Sequence, residues 1–189
     1  MLNLIIFGPP GAGKGTQAEL IAKQFKLAHL SSGELLRQEL KKGELGRRIK
    51  KYQDLGQLVP DSLIIEMIEK TAKKKIKGAG FIFDGYPRTI KQARTLDKFL
   101  KNNRTKLNLI INLKLSEAEA LKRMMLRAKT SGRSDDNAKT IKNRFKVYRN
   151  QTKPLLTYYQ KQKKIVNIDG RPPIEPIFQN ITKILKTRA

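Results

Sequence analysis

The chain has 189 residues, 39% of them hydrophobic, which suits one well-formed core, so a single domain over 1–189 is expected. Lys and Arg total 41 against 16 Asp and Glu, a formal charge of +25, and there is no cysteine, which removes disulfides, zinc–thiolate sites and cysteine nucleophiles together. No run approaches the roughly 20 apolar residues of a membrane helix, and Met1 to Phe7 lacks a basic leader and runs straight into Gly8, so no signal peptide and no membrane partner are expected, and the protein reads as cytoplasmic.

In chain order, Leu2 to Phe7 is an apolar run suited to a strand buried on both faces. Lys14 to Phe25 follows with Ala18, Ile21, Ala22 and Phe25 at helical spacing. Leu27 to Leu30 is a second, weaker strand. Ser32 to Lys75 reads as helices broken at Gly43 and at Gly56 to Pro60. Phe81 to Phe83 is a strand ending at Asp84, Thr89 to Leu100 a helix, and Leu107 to Leu113 a fourth strand. Ser116, with Glu119 three residues on, opens the next helix in a capping-box pattern. A loop at Thr130 to Gly132 precedes a long helix over Asn137 to Gln160, which Pro154 is expected to bend or divide. Ile165 to Ile168 is a last strand and Ile174 to Leu185 a closing helix. Strands alternating with helices of these lengths require crossover connections, and so predict a three-layer α/β/α fold on a five-stranded parallel sheet.

The chemistry starts at Gly8. The run Gly8-Pro9-Pro10-Gly11-Ala12-Gly13-Lys14 has the G-x-x-x-x-G-K spacing, directly after a strand and directly before a helix. Glycines there let successive N–H groups converge on a phosphate, the helix N-terminus adds positive potential, and Lys14 reaches the outer phosphates. One detail departs from the general pattern: Gly15 follows Lys14, and the hydroxyl comes one later at Thr16. Elsewhere, Arg37 and Arg88 offer planar forks suited to oxyanions. Arg88 follows a strand end and a Gly-Tyr-Pro turn, the edge where open α/β sheets bind ligands. Asp84 ends its strand on the same edge as the phosphate loop, where a carboxylate can hold the waters of phosphate-bound Mg²⁺. Arg123 and Arg127 lie four apart and share a helix face. Arg133 in the next loop and Arg144 on the following helix complete a set whose mutual repulsion an incoming triphosphate would relieve.

These segments resemble the nucleoside monophosphate kinase family of P-loop proteins. GPPGAGKGTQA matches its variant phosphate loop, Gly15 before Thr16 included. HLSSGELLR (His29 to Arg37), FDGYPRTIKQA (Phe83 to Ala93) and TSGRSDDN (Thr130 to Asn137) match in the same order, and the likeness runs from Leu4 to the VNIDG ending at Gly170. Within the family the chain is most similar to the short-lid adenylate kinases. The resemblance implies ATP held by Gly11, Ala12, Gly13, Lys14, Gly15 and Thr16 with Arg127 and Arg133. It implies AMP held by Ser32, Arg37, the Gln57, Leu58 and Val59 backbone, Gly85, Arg88, Gln92, Arg133 and Arg144. Lys14, Arg88, Arg123, Arg127, Arg133 and Arg144 are then the catalytic charges, Asp135 and Asp136 hold the loop arginines, and Mg²⁺ accompanies ATP through Asp84.

The same resemblance implies a monophosphate-binding excursion over 31–60 and a short lid over 128–136. Longer-lid members insert a further segment, sometimes with zinc, between the positions of Arg127 and Arg133; here only 128–132 intervene, so no zinc is expected. Ser32 stands where the family commonly has threonine, and Glu34 where aspartate is usual. Thr89 to Gln92 favours AMP over UMP or CMP, whose kinases tend to carry asparagines in that stretch. Transfer of a phosphoryl group from MgATP to AMP, giving two ADP, is thus the expected activity of a monomer. A UMP/CMP kinase is the near alternative, and an RNA-binding P-loop protein or a non-catalytic scaffold the distant ones. Specific nucleic-acid binding is not expected, because the lysines are scattered and no long basic tail exists. His29, the lone histidine, reads as a packing or turn residue: the attacking phosphate oxygen is already ionised, so this chemistry needs no base.

Overall fold

The computed structural model describes residues 1–131 and 137–188. The apolar runs pair as β1 (Leu2–Phe7), β2 (Ala28–Ser31), β3 (Gly80–Asp84), β4 (Leu109–Lys114) and β5 (Ile165–Asp169), all parallel, in the order β2-β3-β1-β4-β5. Successive side chains of each inner strand enter different cores, which is why these runs are apolar throughout. Ile5, Phe7, Phe81 and Phe83 face one way, against α3 (Gly43–Asp54), α4 (Asp61–Lys74), α5 (Ile90–Asn102) and α8 (Pro154–Gln160). Leu4, Ile6, Ile82 and Ile111 face the other, against α1 (Lys14–Phe25) and α9 (Ile174–Arg188). The expected three-layer α/β fold on a five-stranded parallel sheet is the one observed.

Asn3, fully buried within β1, is compatible with this core because its amide is satisfied on every side. It donates to Thr105 Oγ1 (2.8 Å) and the Lys106 carbonyl (2.9 Å) and accepts from Phe81 N (3.2 Å). The second strand begins at Ala28, not Leu27, because Leu27 N–H donates to the Ala22 carbonyl (2.9 Å) to close the end of α1. The fourth begins at Leu109, not Leu107.

The helical stretch after β2 comprises α2 (Ser32–Glu39), α3 and α4. Gly43 starts a helix there rather than merely interrupting one. Between β4 and β5 lie α6 (Glu117–Ser131), α7 (Ala138–Val147), a π-helical segment at Tyr148–Thr152, and α8. The single helix expected over Asn137 to Gln160 is divided as anticipated, and the means is specific. Pro154 cannot continue the i→i−4 ladder, and just before it Lys153 N–H reaches five residues back to the Tyr148 carbonyl (2.8 Å). The helix widens and restarts with Pro154 in its first turn.

In a parallel sheet all carboxyl ends share one edge. Gly8, Ser32 and Gly85 therefore leave β1, β2 and β3 side by side, with Ile6 of β1 in register with Asp84 of β3. No helix among the described residues is long and apolar enough to cross a membrane.

Candidate functional site

Along that edge lies a cleft of about 510 Å³, with the phosphate loop, α2, the end of α3, Asp84 to Arg88, and α6 and α7 on its walls. Of the residues singled out in the sequence, Gly11, Gly13, Lys14, Gly15, Thr16, Ser32, Arg37, Gln57, Leu58, Val59, Asp84, Gly85, Arg88, Gln92, Arg123, Arg127 and Arg144 line it together. Ala12 turns its methyl into the core. Arg133, Asp135 and Asp136 lie outside the described residues, as does most of the expected lid.

The phosphate loop is shaped by glycine conformations that other residues rarely adopt. Gly11 and Gly13 have φ of 83° and 81°, and a Cβ on Gly11 would meet the Ala120 carbonyl oxygen at 2.5 Å. Gly13 also occupies the N-cap of α1 with no side chain of its own to cap it, leaving the first-turn N–H groups to an incoming anion. Lys14 folds back over the loop and donates to the Gly8 and Pro9 carbonyls, each at 2.8 Å. The residue as a whole is half-buried, while its ammonium is enclosed. Burial lowers its pKa from the ordinary lysine value, Asp84 opposes, and Arg88, Arg144 and Arg127 add to the fall, bringing it to about 7.

Asp84 faces this ammonium from the end of β3. Burial pushes its carboxyl up, but the polar contact with His29 and the charges of Lys14, His29 and Arg88 outweigh it, so it stays ionised below the usual range. Ser31 donates to Oδ2 at 3.3 Å, and a Cβ on Gly15 would stand 3.5 Å from the same oxygen, so carboxylate and phosphate loop are immediate neighbours. A single ionised carboxylate facing a phosphate loop fits a hydrated dication such as Mg²⁺, which keeps most of its waters. No grouping of three His, Cys, Asp or Glu suited to a metal occurs among the described residues. His29 sits behind Asp84 in β2, its Nε2 3.7 Å from Oδ2.

The other side of the cleft is built on Gly85. Its carbonyl accepts from Ser32 Oγ (2.6 Å) and from Arg88 Nε (2.8 Å), gathering the first residue of α2 and the guanidinium at one point. With φ at 67°, and with Ser32 Oγ 2.7 Å and Arg88 Nη2 2.8 Å from where a Cβ would be, a side chain here would be strained and would displace both groups, so the position favours glycine. Arg37 projects one turn farther along α2, its guanidinium over Gly33. Gln92, 2% exposed, is held at both ends of its amide: Oε1 accepts from Arg88 N (2.7 Å), and Nε2 donates to Asp61 Oδ1 (2.7 Å).

The arginines of α6 and α7 complete the cleft. Arg123 is braced by Glu119 (3.2 Å) and by the carbonyls of Gly170 and Arg171 (2.9 Å each), which ties α6 to the turn after β5. Glu119 N–H bonds to Ser116 Oγ (3.2 Å), the first half of the anticipated capping box, while the Glu119 carboxylate turns to Arg123. Arg144 leans over Gly56, whose φ of 64° ends α3 beneath the Thr140 carbonyl. Thr140 Oγ1 donates to the Asp54 carbonyl (2.7 Å) and the Asn143 amide to that of Leu55, so α7 satisfies the last carbonyls of α3.

Sequence reasoning did not single out Asp61, Thr140, Asn143, Glu119 in its bracing role, or Thr152, whose hydroxyl reaches the Arg88 carbonyl (3.2 Å). A helix-opening acid after Pro60 is the only local trace of Asp61. Glu119 stands four residues before Arg123, a helix spacing the sequence itself carries; Thr140, Asn143 and Thr152 carry no signal short of the fold.

Comparison with known proteins agrees with this architecture. The family model described as adenylate kinase matches residues 6–164. The chain is 50% identical to the adenylate kinase of Parabacteroides distasonis, covering 96% of each chain. It is 45% identical to that of Azobacteroides pseudotrichonymphae, over 97% of this chain and 96% of the relative. It is also 40% identical to that of Methanothrix thermoacetophila, over 97% of this chain and 98% of the relative.

Proposed function

The chain belongs to the adenylate kinase family, and from that premise we propose how the two sides of its cleft divide the reaction. The enzyme is an ATP:AMP phosphotransferase, moving the γ-phosphoryl group of ATP reversibly to AMP to give two ADP. Gly11 to Thr16 hold the donor phosphates, with Arg127 and Arg133 beside them. Ser32, Arg37, the Gln57 to Val59 backbone, Gly85, Arg88 and Gln92 hold the acceptor, joined by Arg133 and Arg144. The observation that carries this division is the strand order. The phosphate loop leans on β4 and α6, where Gly8 and Gly11 pack against Leu113 and Ala120, whereas Ser32, Gly85 and Arg88 meet above β2 and β3. Two phosphate binders thus face one space from neighbouring strand ends.

No base is required, because the attacking phosphate oxygen of AMP is already ionised. Catalysis reduces to alignment and charge neutralisation by Lys14, Arg88, Arg123, Arg127, Arg133 and Arg144. A Mg²⁺ ion held through its waters by Asp84 would share the charge of the donor phosphates. The excursion over 31–60 and the short lid over 128–136 close over both nucleotides and keep water from taking the phosphoryl group. We read the protein as a cytoplasmic monomer. Initial rates from MgATP to AMP, dAMP, GMP, CMP and UMP test the assignment, with AMP expected to be the best acceptor. No turnover with any of them refutes the enzyme, and fastest turnover with UMP refutes the acceptor.

Lys14 gives a pH prediction. Above pH 7 the empty site holds it increasingly neutral, and a bound polyphosphate favours the ammonium. Binding must therefore take up protons there. At pH 8 the nucleotide phosphates are already ionised, so uptake approaching one proton per ATP is expected, falling toward zero below pH 6. Calorimetric titrations in buffers of different ionisation enthalpy measure it, and the same heat in all buffers at pH 8 contradicts the assignment.

A further inference from the structure

Four groups close a ring between the start of α4 and the start of α5. Thr89 Oγ1 accepts from Gln92 N–H (3.2 Å) and donates to Asp61 Oδ2 (2.8 Å). Asp61 Oδ1 accepts from Gln92 Nε2 (2.7 Å), and Gln92 Oε1 accepts from Arg88 N–H (2.7 Å). A carboxylate only accepts and a main-chain N–H only donates, so these partners leave the Gln92 amide one orientation. A flipped amide would set Oε1 against the Asp61 carboxylate and Nε2 against the Arg88 N–H, two repulsive contacts at a side chain that is 2% exposed. An amide has two N–H groups and two lone pairs. With one of each committed to Asp61 and Arg88, one donor and one acceptor remain for the cleft, in fixed order.

We propose that Asp61 is a specificity-determining positioning residue: by locking the amide of Gln92 it makes the acceptor site sort amino-bearing bases from oxo-bearing ones. This rests on the reading of Gln92 as the residue that meets the acceptor's base. Adenine offers a ring nitrogen acceptor beside an amino donor, which the locked donor–acceptor pair matches. Hypoxanthine and guanine offer a ring N–H beside a carbonyl, the reverse order, and meet donor with donor and acceptor with acceptor. An unlocked glutamine would adapt by rotating half a turn about its last bond; here Asp61 and Arg88 forbid it. Cytosine carries the same order as adenine, and uracil the reverse, so the lock divides the pyrimidines as it divides the purines. Shape must then separate AMP from CMP. A site built on committed hydrogen bonds rejects mismatched analogues strongly, because its own buried groups are left unpaired.

The test uses the full chain and compares AMP with IMP, which differ at this edge alone, in the wild type, in the isosteric Asp61→Asn and in Asp61→Ala. An asparagine at 61 donates as well as accepts and follows the glutamine when it turns; alanine removes the contact altogether. In both variants the ratio of kcat/KM for AMP to that for IMP is expected to narrow roughly tenfold, the worth of one buried hydrogen bond to a charged group. The loss with AMP is expected in KM, with kcat changed less than a few-fold. The CMP to UMP ratio narrows in the same sense. An unchanged AMP to IMP ratio in both variants overturns the proposal, and so does an equal loss with both nucleotides, the mark of a merely structural role. Failure of the underlying acceptor reading shows separately, as a wild type that does not prefer AMP.

Discussion

Lys14→Met is expected to lower kcat about 10³-fold while leaving thermal stability unchanged or raised; the rate loss is that of removing one preorganised donor from developing charge. Methionine keeps the length of the stem, so the loop is not emptied of packing. What disappears is the ammonium, which sits between the loop carbonyls of Gly8 and Pro9 and the carboxylate of Asp84. In the empty enzyme that ammonium is disfavoured: burial together with Arg88, Arg144 and Arg127 outweighs Asp84 and pulls its pKa to about 7. Its removal therefore relieves a charge the resting fold tolerates poorly, and withdraws the charge proposed to act on the transferred group. Rates in an ADP-coupled assay and melting curves followed by circular dichroism separate the two effects. Loss of activity in step with loss of melting temperature would assign Lys14 to the architecture instead. Loss of less than tenfold would remove it from the transfer step.

The division between what the sequence makes legible and what it does not follows contact range. Gly8 to Thr16 is legible because the phosphate loop is a local object: strand, glycines and helix start lie within a few residues, and their spacing is the structure. Asp84 and Arg88 are legible for a related reason, since a strand end in a parallel sheet defines its place at the ligand edge before any partner is known. Pro154 declared a break in its helix, although the widened turn from Tyr148 is visible only in the backbone. Asp61 was silent. Its meaning comes from Gln92, 31 residues on, across a contact between two helix starts that no periodicity encodes. Arg123 is similar. The sequence placed it among the arginines of one helix face, and the fold adds carbonyls of Gly170 and Arg171, 47 and 48 residues away, that fix its guanidinium. Thr140 and Asn143 read as ordinary polar helix positions until they are seen holding the end of α3. Motifs thus named the groups proposed to touch phosphate, and the folded chain named those that hold them in place.

Arg88→Lys keeps the charge and is still expected to cost about 10²-fold in kcat/KM with AMP, because a preorganised planar donor is replaced by a mobile point charge. The geometry on Gly85 is the reason. Arg88 Nε donates to the Gly85 carbonyl at 2.8 Å while Nη2 lies 2.8 Å from where a Gly85 Cβ would be, so one edge of the guanidinium is fixed against Gly85 on the wall of the cleft. Ser32 Oγ occupies the same carbonyl at 2.6 Å, which fixes α2 relative to that plane. A lysine ammonium has to choose between bonding Gly85 and reaching a phosphate, and it cannot meet two phosphate oxygens in one plane. The main chain of residue 88 also holds Gln92 Oε1, a contact the substitution leaves in place, so base preference should survive while rate falls. Lys74→Ala supplies the comparison: it removes one exposed positive charge near the end of α4 and is expected to leave kcat/KM within twofold, since isolated surface charges contribute little. Equal losses in the two variants would mean that Arg88 acts only through net charge, and an altered AMP to IMP ratio in Arg88→Lys would place it in base recognition rather than in the phosphate clamp.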